Sequence, residues 1–434
     1  MDKMADVLGR AGAWCGQNKY LSAIKNAFQN FMPLTIAGAI GVLWCNVLVN
    51  DQTGLGMFFK PVMALDFLNP AFQAVNFCTI SCITVGITLG IAQEIGVWNM
   101  GAEKAGYIPG LVGLAAWLSV TNTSHMVEGA KEAFTGIAGN ELGATGLFTG
   151  MIIGVLSVEL FCFFEKQDAL KIKMPEQVPP GVARAFEVLV PATITLIITA
   201  CIGSACYNLT GLYLNDVIKN GIQGPLGAVG ATIPGVMIIY LVIMLFWLVG
   251  IHGNNMLSAV KEALFTPLAL ENVEKFNKGE KPTNIINMYA LQMWGEFGGS
   301  GVTIGLVIAI MIFGKREDNK AIATLSLVPG LFNINETVTF GIPMVLNPIL
   351  GIPFVVAPLI TIIIGYVLTV IGFCPVACLT VPWTTPPLVF GFLATGANIM
   401  GAVTQAILIV VSTVIYTPFL ISYEKYQNKQ AAEA

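Results

Sequence analysis

LFNINETVTFGIP, Leu331 to Pro343, is the stretch on which the reading of this chain turns. It lies among apolar runs long enough for a membrane, yet it holds Asn333, Asn335, Glu336, Thr337 and Thr339 in quick succession. Pro329 and Gly330 open it, and Gly341 and Pro343 close it, so one straight helix is not expected there. A carboxylate at membrane depth costs several kcal/mol unless it is paired, hydrated or protonated. Irregular backbone at that depth is tolerated only where it is buried in protein or lines a polar cavity. Together these constraints make Glu336 a candidate ligand group at a polar site inside a membrane transporter.

Composition agrees. Of 434 residues, 55% are hydrophobic and 11% charged, and the mean hydropathy is +0.76. A soluble domain carries about 25% charged residues, so an all-α polytopic membrane protein is expected. The net charge of −4 and the lack of a basic tract argue against a nucleic-acid partner. Cys78/Cys82 and Cys374/Cys378 lie one helical turn apart in apolar segments, where Cys acts as a small hydrophobe. With only His125 and His252 to join them, no metal site is expected. No short cleavable apolar region opens the chain, so no signal peptide is expected.

Crossings of about 20 residues each are expected near 31–50, 72–93, 106–121, 142–164, 185–206, 230–251, 350–373 and 401–422. Ahead of them, Met4, Val7, Leu8, Ala11 and Trp14 recur at helical spacing with Lys3, Arg10, Lys19 and Lys25 interspersed, the pattern of an interfacial helix. Leu212 to Ile222 has a similar amphipathic character. The loop after the fourth crossing carries Lys166, Lys171, Lys173 and Arg184, whereas 122–141 carries Glu128, Glu132 and Glu141 against Lys131. Basic segments favour the cytoplasm, which assigns both termini to that side. Lys315, Arg316, Lys320, Lys425 and Lys429 agree. Residues 252–345 and 380–396 read instead as broken or re-entrant pieces, the form in which transporters build sites near the bilayer midplane. The chain is therefore divided into a scaffold half, 1–225, and a working half, 226–434.

Four stretches could carry chemistry. GIHGNNM, 250–256, flanks His252 with glycines that let backbone or ligand approach the ring. The imidazole can donate, accept or become cationic, or it can simply close a helix end. In Asn335-Glu336 the carboxylate can accept hydrogen bonds from hydroxyls or act as a base; a structural ion pair or cap is the other reading. Asn333 and Asn335 either bind ligand or close the turn. WGEFGGSG, 294–301, offers either backbone amides to an oxygen-rich ligand or a close helix contact. In VPWTTPP, 381–387, Trp383 is either a platform for a sugar ring or an interfacial tryptophan. No Gly-rich loop with Lys-Ser/Thr is present, so no nucleotide cofactor is expected, and any phosphoryl donor must come from another polypeptide.

These four stretches, with GLFNINETVTFGIPMVLNP at 330–348 and FMPLTIAGAIG at 31–41, resemble the EIIC membrane components of the bacterial phosphoenolpyruvate-dependent sugar phosphotransferase system, in the lactose/cellobiose/diacetylchitobiose family. The resemblance covers essentially the whole chain, and the length suits a stand-alone EIIC. It implies about ten transmembrane helices, two re-entrant hairpins and a homodimer formed through the N-terminal half in the cell membrane. It implies a β-linked disaccharide as substrate, of the diacetylchitobiose or cellobiose class. The sugar's primary hydroxyl would be phosphorylated by a phosphocysteine on a separate EIIB protein. The chain would then be the membrane part of a phosphotransferase complex. The family's functional His maps onto His252 and its functional Glu onto Glu336. Trp383, Asn254, Asn335, Gly299 and Ser300 are carried over as further sugar-site residues. Two other functions keep the same broken helices and intramembrane carboxylate: an ion-coupled secondary transporter using Glu336 for proton or sodium, and a membrane scaffold whose polar segments only fix helix packing.

Overall fold

The computed structural model describes residues 10, 13–14, 17–51, 55–125, 134–175, 177–342 and 344–433. Lys3, Met4, Val7, Leu8, Ala11, Glu128, Lys131, Glu132 and Pro343 lie outside the described residues. Among those described, six helices are long and apolar enough to cross a membrane: Lys19–Leu48, Lys60–Met100, Ala144–Glu165, Pro180–Thr210, Gly351–Val370 and Ile399–Gln430. Of three shorter apolar helices, Ile108–Val120 and Ile233–Leu248 fall at expected crossings, and Ile304–Phe313 lies within the stretch 252–345 read as broken pieces. The fold is all-α and polytopic. Lys60–Met100 is not uniform: a 3-10 stretch, Lys60–Leu68, leads through Asn69–Cys78 and Ile80–Cys82 into the regular helix Ile83–Met100. The 122–141 loop holds a two-stranded antiparallel ladder, Ser124 opposite Thr135 and His125 opposite Phe134, which is too short for any alternation to announce it.

The chain forms two compact units. One comprises 17–38 and 74–227; the other comprises 39–73 and 228–434 with the residues before 17. In the first, the helices 83–100, 108–120 and 144–165 pack closely around Ile87, Ile91, Ile95, Trp117, Leu147, Val158 and Phe161, all buried. Lipid is as apolar as these side chains, so close backbone approach rather than water exclusion must hold the helices together. Small residues provide that approach. A Cβ on Gly113 would stand 2.3 Å from the Ala92 Cβ, and one on Gly150 would stand 2.2 Å from the Thr88 Oγ1. Charges gather at one end. The Glu165 side chain, 1% exposed, meets both Lys104 Nζ and Arg184 Nη1 at 2.9 Å. Lys19 Nζ reaches Glu159 at 2.6 Å.

In the second unit the apolar helices 233–248, 304–313, 351–370 and 399–433 frame segments of irregular backbone. The irregular pieces are satisfied by buried amides and hydroxyls, as a water-poor interior requires. Asn272 Nδ2 donates to the Asn284 and Ala377 carbonyls at 2.8 and 3.0 Å, and its Oδ1 accepts from the Thr283 and Asn284 amides. Asn287 caps the helix Met288–Gly295, accepting from the Tyr289 and Ala290 amides at 3.1 Å. Gln405 Oε1 takes the Leu388 and Gly391 amides at 2.7 and 2.8 Å, fixing the short helix Val389–Ala394. As expected, Leu331–Gly341 is not one helix: the helix Glu317–Leu331 ends, the chain turns at 332–335, and Glu336–Gly341 begins a new stub.

The small-residue packing is directly testable. Gly113→Ala should destabilise the purified protein in detergent by about 1–3 kcal/mol, the usual cost of overpacking. Gly181→Ala, where an added Cβ meets nothing within 4 Å, should be neutral or slightly stabilising. Equal thermal midpoints for the two variants would contradict the packing described.

Candidate functional site

The site is assembled within the second unit. His252 sits between the apolar helix Ile233–Leu248 and the stub Gly253–Met256, for which it is the N-terminal cap. Its Nδ1 accepts from the Asn255 amide at 3.2 Å. An accepting Nδ1 puts the proton of the neutral ring on Nε2, leaving that nitrogen as a donor. The buried Trp247 indole backs the ring, with centroids 4.4 Å apart, and is itself held edge-on against Phe354. The flanking glycines serve the backbone: a Cβ on Gly253 would lie 2.0 Å from the Ile243 carbonyl oxygen, and Gly250 has φ +82°. Asn254 is half-buried, and its amide makes no hydrogen bond among the described residues.

Glu336 opens the stub Glu336–Gly341 and is exposed, with no hydrogen bond or ion pair among the described residues. A carboxylate at the first turn of a helix faces unsatisfied backbone N–H groups and the positive end of the local dipole. Glu336 also acts electrostatically on the His252 ring, as do Glu296 and Lys261. The imidazole and the carboxylate are 84 positions apart in the chain, yet both belong to the second unit.

Asn333 sets that arrangement. It adopts φ +63°, a left-handed conformation that Asn tolerates better than most residues. Its Oδ1 accepts from the Gly298 amide at 2.6 Å. Its Nδ2 donates to the Trp383 carbonyl and, at 3.1 Å, to the Thr385 carbonyl. One side chain thus ties the turn before Glu336 to both the Gly-rich loop and the Trp383 loop. Asn335, 4% exposed, adds a bond from its Nδ2 to the Ser300 carbonyl at 2.7 Å. The loop 298–301 is buried, and its Gly298 and Gly299 amides are both taken, by Asn333 and by the Glu296 carbonyl. A Cβ on Gly299 would lie 2.6 Å from the Asn335 side chain, and one on Gly301 2.3 Å from the Phe354 ring. Trp383 is 45% exposed, whereas Trp294 is 1% exposed and pressed against Gly365.

The sequence reading missed one cluster. Lys261 Nζ pairs with the Glu296 carboxylate, with side chains 7% and 15% exposed, and the Tyr240 hydroxyl donates to Glu296 Oε1 at 2.7 Å. The ammonium also lies 5.5 Å from the Tyr240 ring centre. The available signal was a lysine and a glutamate each set in an apolar stretch, which calls for a partner. Their pairing across the chain is what local patterning does not reveal. Lys261→Met alone should cost about 3–5 kcal/mol of stability by stranding the Glu296 charge. The double variant Lys261→Met/Glu296→Gln should recover much of it. Thermal denaturation of the purified variants measures both, and additive losses would contradict a direct pair.

Comparison with known proteins shows the family. The family described as "Phosphotransferase system, EIIC" matches residues 25–358. The oligo-beta-mannoside-specific EIIC component of Bacillus subtilis (strain 168) is 32% identical, over 98% of this chain and 94% of that one. The cellobiose-specific EIIC component of Lactococcus lactis subsp. lactis (strain IL1403) is 29% identical, over 98% of both. The lactose-specific EIICB component of Staphylococcus aureus (strain COL) is 33% identical, over 94% of this chain and 69% of that one. Among solved structures, the transporter ChbC, described as the IIC component from the N,N'-diacetylchitobiose-specific phosphotransferase system, superposes with a TM-score of 0.88 at 30% identity, over 97% of each chain. On the breadth of the family match and of these likenesses, the chain belongs to the EIIC family of the phosphotransferase system, integral membrane components built of apolar helices.

Proposed function

We propose that this chain takes up a β-linked disaccharide of the diacetylchitobiose or cellobiose class and presents its primary hydroxyl for phosphorylation by a phosphocysteine on a separate EIIB protein. The carrying observation is the complementarity of two groups: a donating imidazole nitrogen on His252 and an uncompensated carboxylate on Glu336, electrostatically linked. A hydroxyl both accepts and donates, so it can take the Nε2 proton as acceptor and offer its own proton to Glu336. The printed substrates of the relatives, cellobiose, lactose, oligo-beta-mannoside and diacetylchitobiose, support the sugar class. The lactose-specific relative is named as an EIICB component, which supports a B component as the phosphoryl donor.

In the reaction, the hydroxyl oxygen attacks phosphorus, the P–S bond to the EIIB cysteine breaks and a P–O bond to the sugar forms. The hydroxyl proton passes to Glu336, and the cysteine leaves as thiolate. Phosphoryl transfer depends chiefly on positioning and charge stabilisation; as the hydroxyl attacks, the His252 Nε2–H shifts from it to the incoming phosphoryl oxygens. Trp383 offers its ring face to the sugar. Asn254 offers a free amide, and Gly299, Ser300 and Asn335 form a wall of the site. Once Glu336 has passed that proton on to water, its restored charge repels the new phosphate, favouring release. The scaffold half, 1–225, carries the homodimer contact, and the working half, 226–434, moves to expose the site to either side. The chain crosses the membrane about ten times with both termini cytoplasmic.

Glu336→Gln should leave the protein folded and abolish most phosphoryl transfer, a drop of about 10²–10⁴-fold if the carboxylate serves as general base. The assay is sugar phosphorylation in membranes supplied with the soluble components. Near-normal turnover by a folded variant would overturn the assigned role.

A further inference from the structure

The helices Ile304–Phe313 and Ile399–Glu433 pack against one another in the second unit. Between them runs a groove of about 690 Å³, lined by Ile308, Phe313, Val410, Val414, Pro418 and Ile421 among others. Its hydroxyls are turned away from any ligand. Thr413 Oγ1 donates to the Ile409 carbonyl at 2.9 Å and Thr417 Oγ1 to the Thr413 carbonyl at 2.7 Å. Back-bonding of this kind satisfies a threonine within its own helix, so the groove presents almost pure hydrocarbon, unsuited to a sugar.

One end of the groove is cationic. Lys315 follows two residues after Phe313, and Lys425 follows one helical turn after Ile421, on the same helix face. The two lysines are held at the same end because the Lys315 amide donates to the Glu424 carboxylate at 2.8 Å. Glu424 also accepts from the Arg316 amide at 3.3 Å and from Asn319 Nδ2 at 3.1 Å, so its charge is spent on the neighbouring helix start. Arg316 is engaged by Asp318. Lys315 and Lys425 are exposed and form no ion pair among the described residues.

We propose that the groove holds an acyl chain of an anionic phospholipid whose phosphate lies against Lys315 and Lys425. Each half of the site selects one half of that molecule. A soluble anion would leave the groove unfilled, and a zwitterionic lipid would bring its own cation to the lysines. A second copy of the chain seated on its own two-fold axis would bring like charges together.

The test is lipid retention by the purified, detergent-solubilised protein, measured by native mass spectrometry after exposure to phosphatidylglycerol or phosphatidylcholine of matched chains. The wild type should retain phosphatidylglycerol over phosphatidylcholine roughly five-fold or more. Lys315→Gln/Lys425→Gln should retain the two equally, and Val414→Trp or Val410→Trp, each filling the groove, should retain less of both. Thermal midpoints identify any variant that has not folded. Equal retention by the wild type, or an unchanged preference in the lysine double variant, would overturn the proposal. Displacement of phosphatidylglycerol by glycerol phosphate alone would make the occupant a soluble anion. Loss of an oligomer in Val414→Trp would make it a second copy. Either of these results also overturns the proposal.

Discussion

The Asn333 amide is the constraint on which the site depends. A helix that stops inside an apolar protein leaves carbonyl and amide groups that water cannot satisfy, and each one left unpaired costs free energy comparable to a lost hydrogen bond. Here the chain stops three times in the same place: at the turn 332–335, at the glycines 298–301 and at the loop 382–385. One carboxamide bridges all three, accepting from Gly298 and donating to the Trp383 and Thr385 carbonyls. Asn335 to Ser300 and Tyr416 to the Gly301 carbonyl complete the frame. Glu336 therefore stands at a fixed position rather than on a free loop.

Two carboxylates in this unit are met very differently. Glu296 is fully compensated by Lys261 and by the Tyr240 hydroxyl. Such a cluster can order a core without binding anything, and its hydrogen bonds offset the desolvation of the charges. Glu336 has no such partner among the described residues. An uncompensated carboxylate in an apolar surround survives where water or a ligand meets it. The difference between the two glutamates, rather than their presence, is what makes Glu336 the candidate for chemistry.

Much of this was legible in the sequence. The apolar runs placed the long helices, since about 20 uncharged residues have few other uses. The proline and glycine brackets around 331–343 announced the broken helix found there. His252 and Glu336 stood out because polar residues in apolar surroundings demand a reason. What remained hidden was pairing at a distance. Nothing local shows that Glu296 will meet Lys261 and Tyr240, or that Gln405 will cap the backbone at Leu388 and Gly391. The Gly-rich loop was ambiguous for the same reason. Its glycines could have freed amides for a ligand, but the Gly298 and Gly299 amides are bonded within the protein and the backbones pack too closely for a Cβ. The 3-10 stretch Lys60–Leu68 was not foreseen either, because its apolar residues show no distinct period.

The central claim is that His252 and Glu336 share one sugar hydroxyl. The most direct test compares the binding of a β-linked disaccharide to purified protein with that of an analogue lacking the primary hydroxyl at the phosphorylated position. The account predicts that the analogue binds the wild type more weakly by about 1–3 kcal/mol, because both groups lose their partner. It also predicts that this difference shrinks in Glu336→Gln and largely disappears when His252→Ala is added. Equal affinity of the wild type for sugar and analogue would contradict it.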